Sequence, residues 1–467
     1  MRRSSFGVTR WAGLACGLVL TIGGAPAWAQ SDDAQALEAE WRDCTQNAGP
    51  VDPGPRITAC QKILDEGELD AESRALFQVN LAAAYGDAGL IDQGLLTYSA
   101  ALASAVEDKD VPLQAKIVAS RGALRADAQK DYDGALRDLN ISVQMAPADG
   151  LYRELRGDIL VKLKRYAEAV ADYDLLRRLT PSDPKSHYRY GEANRLLGDN
   201  AKAIEGYSRA IQLKPDFYSA IEQRYLLQTT TRDFNGALAD AQSMMRLRPA
   251  EPANLYYRGW AYSRLKDYPR ALTDLNAYIK AETQVADGYL ERGIVYAAQK
   301  NAPLAIADFS QAIRLSPTLT TAYMRRASMK LELRDFPGAI ADLDVAVQQA
   351  PALALNYNNR CWARALWGQG LDLALADCDA AIKMRDTSMA RGSRAMVRLR
   401  LGQPQLAFDD YEASLKLSAN PPASSLYGRG LAHMRLGRVA EGQADMAAAL
   451  AKDPAAAEYF QRAGLAP

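Results

Sequence analysis

Leu255–Ile279, LYYRGWAYSRLKDYPRALTDLNAYI, lies without gaps on Tyr289–Ile313, YLERGIVYAAQKNAPLAIADFSQAI, and on Tyr323–Val347, YMRRASMKLELRDFPGAIADLDVAV. Each stretch starts 34 residues after the one before. A period of that length marks a stacked array of small structural units, none of which buries its apolar face alone. Such an array offers a long surface and contacts only its neighbours along the chain.

Inside each unit the spacing is regular. A small residue (Gly157, Gly191, Gly259, Gly293, Ala327) is followed twelve positions later by Ala (Ala169, Ala203, Ala271, Ala305, Ala339). Several units close on Pro181, Pro215, Pro249, Pro317 or Pro351, and Tyr132, Tyr166, Phe234, Tyr268 and Phe336 stand three before the second small position. Small residues let two antiparallel helices come close. Proline ends the second helix, because it lacks an N–H and restricts the residue before it. The pattern resembles the tetratricopeptide repeat, a helix–turn–helix unit of 34 residues.

The second-helix marker recurs at Ala59, Gly94, Ala135, Ala169, Ala203, Ala237, Ala271, Ala305, Ala339, Ala374, Ala407 and Gly442, which makes twelve units. The step of 41 from Gly94 to Ala135 places extra residues around Ala103–Gln114, as a longer helix or loop. The resemblance implies an all-α, right-handed superhelical solenoid. Its expected parts are a signal peptide at 1–29, irregular units over 30–113, a regular array over 114–454 and a capping helix at 455–467. Arrays of this kind need such a cap on their last apolar face.

Residues 1–29 read as an export signal. Arg2, Arg3 and Arg10 precede WAGLACGLVLTIGGAPAWA, and Ala27-Trp28-Ala29 fits a small-x-small cleavage site. The apolar run is short and broken by glycines, which argues against a membrane span. Cys16 does not make a lipoprotein signal, since Gly13 stands where a large aliphatic is expected. The full chain carries 56 basic and 56 acidic residues, and losing the three leader arginines leaves a net charge of about −3. No basic field for nucleic acid or for a membrane surface remains. The expected location is the periplasm.

Cys44, Cys60, Cys361 and Cys378 form two local pairs, each with one cysteine on either helix of a unit. In an oxidising compartment they read as two hairpin disulfides. There is no C-x-x-C, and His187 and His433 lie in different units, so no metal or cofactor is expected.

Charges also repeat. Arg121, Arg156, Arg224, Arg258, Arg292, Arg326, Arg360, Arg394 and Arg429 are followed 16 or 17 residues later by Asp138, Asp172, Asp240, Asp274, Asp308, Asp342, Asp377, Asp410 and Asp445. The other three units have neither charge at these places; one of them has Tyr190 and Gly206. Both or neither is what an ion pair inside each unit produces, because a buried unpaired charge is costly. A contact between adjacent units fits this pattern less well.

By the resemblance, first helices line a concave groove, at positions three before, one after and four after the small residue. These include Tyr188, Tyr256, Trp260, Leu290, Ile294, Met324, Asn358 and Trp362, with Leu331, Tyr427 and Leu431 further along. Glu154 and Asp158 share one helix face and read as solvated. Tyr and Trp are rich contact residues. The Lys/Asn/Arg set with which some family members grip a peptide carboxylate is absent around Asn358. No nucleophile–base set, phosphate loop or metal cluster appears. The expected function is a non-enzymatic periplasmic scaffold or adaptor, holding a protein or peptide partner of the cell envelope along the groove. The alternative is an accessory, saccharide-binding subunit of an envelope polymer assembly or export machine.

Overall fold

The computed structural model describes residues 38–45 and 52–465, and every regular element among them is helical. The leader lies outside the described residues. The described residues divide into two compact units, with the boundary between Thr231 and Arg232.

Unit one contains α1 (Glu38–Thr45), α2 (Gly54–Glu66), α3 (Ala71–Asp87), α4 (Ile91–Glu107), α5 (Val111–Leu124), α6 (Tyr132–Met145), α7 (Gly150–Lys162), α8 (Tyr166–Leu179), α9 (Pro184–Leu197), α10 (Asn200–Leu213) and α11 (Tyr218–Thr231). Unit two contains α12 (Phe234–Leu247), α13 (Pro252–Arg264), α14 (Tyr268–Ala281), α15 (Ala286–Ala298), α16 (Ala302–Leu315), α17 (Thr320–Glu332), α18 (Phe336–Gln349), α19 (Ala354–Trp367), α20 (Leu371–Met384), α21 (Ser388–Arg400), α22 (Pro404–Lys416), α23 (Ala423–Arg435), α24 (Val439–Lys452) and the short α25 (Glu458–Arg462). In each unit consecutive helices pack on one another, as stacked pairs. The extra residues before Ala135 are helical: α4 has 17 residues, and a five-residue π turn, Arg125–Gln129, extends α5.

One three-residue turn both ends a first helix and starts the second. Between α17 and α18, Arg334 takes a left-handed φ of 61°. Its N–H donates to Leu331 O (3.1 Å), and the Asp335 N–H donates to Lys330 O (2.8 Å). These are the two bonds of a Schellman stop. The Asp335 carboxylate then accepts from Gly338 N at 2.9 Å and caps α18. The same left-handed turn position holds Lys130, Lys164, Lys266 and Lys300, with Gly198 in the turn between α9 and α10.

After α24 the chain folds back on the last helix pair. A 3-10 turn, Pro454–Ala457, leads into α25, and Phe460 packs 5.2 Å from the Tyr427 ring and 6.5 Å from the Tyr411 ring. Tyr427 and Leu431, expected on the groove, are therefore core residues, 5% and 1% exposed.

Eight of the repeated Arg–Asp combinations lie within a single unit, and in all eight the guanidinium forks onto both carboxylate oxygens. Arg258 reaches Asp274 at 2.7 and 2.8 Å, Arg292 reaches Asp308 at 2.8 and 2.7 Å, and Arg326 reaches Asp342 at 2.9 and 2.6 Å. Seven of the eight aspartates are buried, and Asp445 is half-buried. Asp308 is 5% exposed, which explains why the arginine and the aspartate occur together or not at all. Arg224 and Asp240 fall in different units.

The remaining guanidinium arm does something the spacing did not reveal. Arg292 Nη1 donates to Asn276 Oδ1 of the preceding helix pair at 2.7 Å. Arg326 donates likewise to Ser310 (2.9 Å), Arg360 to Asp344 (2.8 Å) and Arg156 to Asn140 (3.1 Å). One arginine thus joins the two helices of its own repeat and ties that repeat to the one before.

Candidate partner-binding cleft

A cleft of about 510 Å³ opens in unit two between α17 and α19. From α17 come Met324, Ala327, Ser328, Leu331 and Glu332; the following turn and α18 add Arg334, Phe336 and Leu343. The opposite wall is Asn359, Trp362 and Leu366 of α19. The lining is mixed, with seven apolar residues beside Ser328, Glu332, Arg334 and Asn359. Glu332 and Arg334 are exposed and of opposite sign, so the rim has no strong field. Lys330 is engaged, donating to Asp342 at 2.9 Å and to Gly338 O at 3.1 Å. The size and lining are those of a site for one or two large apolar side chains.

Of the eight residues expected on the groove, Met324 and Trp362 line this cleft, as does Leu331. Leu290 and Ile294 are half-buried against Ala302, Ala305, Phe309 and Met329. Tyr256 packs on Tyr278 with centroids 5.3 Å apart. Trp260 lies edge-on to Phe234 (6.0 Å) and carries the Arg264 guanidinium 4.6 Å over its ring. That guanidinium also holds Glu291, at 2.7 and 3.0 Å. Burial raises the Glu291 carboxyl above its usual range, against the pull of Arg264 and of the Ser263 hydroxyl. One face of Trp260 is thus already occupied. Asn358 is buried at 5% exposed, and Asn359 lines the cleft in its place. One step along a helix turns a side chain by about 100°, enough to exchange the two.

Tyr188, the eighth residue, belongs to unit one, where it packs between Tyr207 (5.7 Å) and Phe217 (5.0 Å). Its neighbourhood is ionic. Arg189 binds Glu154 at 2.7 Å and Asp158 at 2.5 Å, and Asp158 also accepts from the Tyr173 hydroxyl at 2.5 Å. The reading of Glu154 and Asp158 as solvated is corrected: both are partners of an arginine one repeat away. Burial raises the Asp158 carboxyl above its usual range, and Arg189 and the Tyr173 hydroxyl oppose this. Glu192 accepts similarly from the Tyr207 hydroxyl and from Arg195.

The cysteines are brought together in two pairs, Cys44 with Cys60 (S–S 2.06 Å) and Cys361 with Cys378 (S–S 2.07 Å). Among the described residues no group of three His, Cys, Asp or Glu side chains is placed to hold a metal ion, and no helix is long and apolar enough to cross a membrane.

The sequence profile of the tetratricopeptide repeat family matches residues 120–184, 174–216, 256–320 and 290–354. Residues 120–216 and 256–354 are tetratricopeptide repeats. The cleft lies partly in the last of these matches, with Asn359, Trp362 and Leu366 just past its end. Over 108 residues, 23% of this chain, the sequence is 30% identical to the DnaJ homolog subfamily C member 7 of Mus musculus. Over 84 residues, 18% of the chain, it is 30% identical to the Hsp70-Hsp90 organizing protein of Triticum aestivum. The chain spans 22% and 14% of the length of these relatives. Among solved structures, yeast Tom70 aligns over 92% of this chain and 100% of its own, at 14% identity and a TM-score of 0.41.

Proposed function

We propose that this chain is an exported, non-enzymatic tetratricopeptide-repeat adaptor, which holds an apolar segment of a cell-envelope protein in the cleft between α17 and α19. The observation that carries the reading is the cleft itself: seven of its eleven lining residues are apolar, and Trp362 stands in one wall. A buried tryptophan at the centre of a contact is the kind of side chain that dominates binding. The repeats supply rigid helices on either side, so the partner meets a preformed surface and loses less in ordering it. The relatives share only repeat segments with this chain, which supports protein contact as the class of function without transferring their partners. The leader-like residues 1–29 and the two cysteine pairs support export to an oxidising compartment.

Selection of a random peptide library on the mature protein tests the cleft. Peptides rich in Leu, Phe or Trp are expected, and Trp362→Ala is expected to weaken them at least about tenfold, the loss of an aromatic anchor. Selected peptides indifferent to both Trp362→Ala and Leu331→Ala would remove the cleft as the site. Fractionation of expressing cells tests export: uncleaved protein in the cytoplasm would refute it.

A further inference from the structure

One wall of the cleft rests on a covalent joint. Cys361 and Cys378 are both 0% exposed, and Trp362 and Leu366 pack against the core cluster that contains them. In the three preceding helix pairs, a large side chain against a small residue fills this place between the helices. A Cβ on Gly259 would meet Leu275 Cγ at 3.0 Å, and one on Gly293 would meet Phe309 Cε1 at 2.7 Å. Ala327 and Leu343 share one core cluster. In α19–α20 neither residue is large, and the bond between the two sulfurs closes the gap. Without it, α19 keeps its ion pairs, Arg360 and Arg364 on Asp377, and the cap that Arg400 places on the Ala365 and Leu366 carbonyls. It loses the covalent joint to α20 at Cys361, the residue next to Trp362.

We infer that the Cys361–Cys378 disulfide is a redox lock on the cleft. Oxidised, it fixes Trp362 and Leu366 in the positions that receive the partner. Reduced, it frees α19 to move, and the cleft binds weakly. The inference rests on the reading of the cleft as the binding site. The reductant is a dithiol, such as an exported thiol–disulfide oxidoreductase or dithiothreitol. It gives up two electrons and two protons, becomes a disulfide, and leaves two thiols on the chain. Both sulfurs are shielded, so attack by a thiolate requires the hairpin to open first. The lock is therefore slow to release.

The test uses the full mature chain in three forms: the oxidised protein, Cys361→Ser with Cys378→Ser, and Cys361→Gly with Cys378→Leu. The last restores the small-against-large contact of the neighbouring pairs. Two quantities are read: the affinity for a fluorescent peptide selected on the oxidised protein, and amide hydrogen exchange in α19. In the serine form, exchange in α19 is expected to accelerate at least about tenfold, because the closed loop no longer restricts the open state. Affinity is expected to fall at least about fivefold. In the Gly/Leu form both should return to within about twofold of the oxidised protein, and dithiothreitol should no longer change them. The lock is overturned by free thiols at Cys361 and Cys378 in the exported protein. It is equally overturned by exchange in the serine form unchanged within about twofold, or by acceleration spread over all of unit two. The exchange measurement needs no ligand: failure to select any peptide counts against the cleft as a binding site, and unchanged α19 exchange counts against the lock.

Discussion

The pairs α9–α10 in unit one and α15–α16 in unit two solve the same packing problem in opposite ways. In α15–α16, Asp308 of the second helix faces the first and is buried, and Arg292 forks onto it. In α9–α10 the same place is Gly206. A Cβ there would lie 2.8 Å from Gly191 Cα, Gly191 N and His187 O, so the two helices meet backbone to backbone. Tyr190 stands where the arginine would be, and the guanidinium of Arg177, from the preceding pair, lies 4.0 Å over its ring. A buried carboxylate obliges an arginine. Once the carboxylate is gone, the helices close the space and the arginine has nothing to bind.

The largest expected effect breaks the charged solution. Arg292→Met leaves Asp308 buried and alone, which costs about 3 kcal/mol, the low end for a buried pair because Arg292 keeps 20% of its side chain in solvent. Adding Asp308→Leu should recover most of this, since an apolar pair of similar volume replaces a buried ion pair at little cost. Amide exchange in α15 and α16 reads both, which avoids assuming that the array unfolds in one step. Additive losses in the two single variants and the double would mean that the residues do not interact.

The uncharged solution breaks at Gly206. Gly-to-Ala in a helix ordinarily stabilises by about 1 kcal/mol. Gly206→Ala is expected instead to destabilise by about 1–3 kcal/mol, because the new methyl meets backbone that cannot step aside. A stabilised variant, seen as slower exchange in α9 and α10, would show that the helices are less close than described.

A smaller effect is expected between repeats. Asn276→Ala removes the acceptor for the third arm of Arg292 and leaves the fork on Asp308 intact. The bond is solvent-exposed, so the loss should stay under about 1 kcal/mol and appear at the junction of α14 and α15. A loss as large as that of Arg292→Met would move the main role of the arginine from its own repeat to the junction.

The smallest effect concerns the turns. Gly198 takes its left-handed conformation, φ 92°, freely, whereas Lys300 adopts φ 61° with a side chain. Lys300→Gly should stabilise by about 0.5 kcal/mol. Relief of the left-handed conformation, about 1 kcal/mol or more, is partly offset by losing a cation at a helix C-terminus. Destabilisation in low salt that disappears in high salt would show that the charge outweighs the backbone.

Residue by residue, legibility followed range. The 34-residue period, the prolines that end second helices and the joint presence of Arg292 and Asp308 were readable because each is confined to one helix pair. The third arm of the arginine left a trace, a polar residue two after the aspartate, as in Asn140, Asn276, Ser310 and Asp344. It went unread because its meaning lies in the next repeat. The arginine partners of Glu154 and Asp158 were missed for the same reason.

The sequence by itself determined the helix pairs, their turns, the buried charges and the placing of the cysteines across each hairpin, because these depend on spacing along the chain and on residues whose conformational or charge requirements leave one solution. Only the tertiary structure decided which apolar first-helix residues stay open. Met324 and Trp362 line a cleft while Leu290, Ile294 and Tyr256 are packed against neighbours, although all five fit the same pattern. Whether such a side chain is covered depends on the bulk that adjacent helices bring against it, and that sum is fixed only when the repeats are stacked.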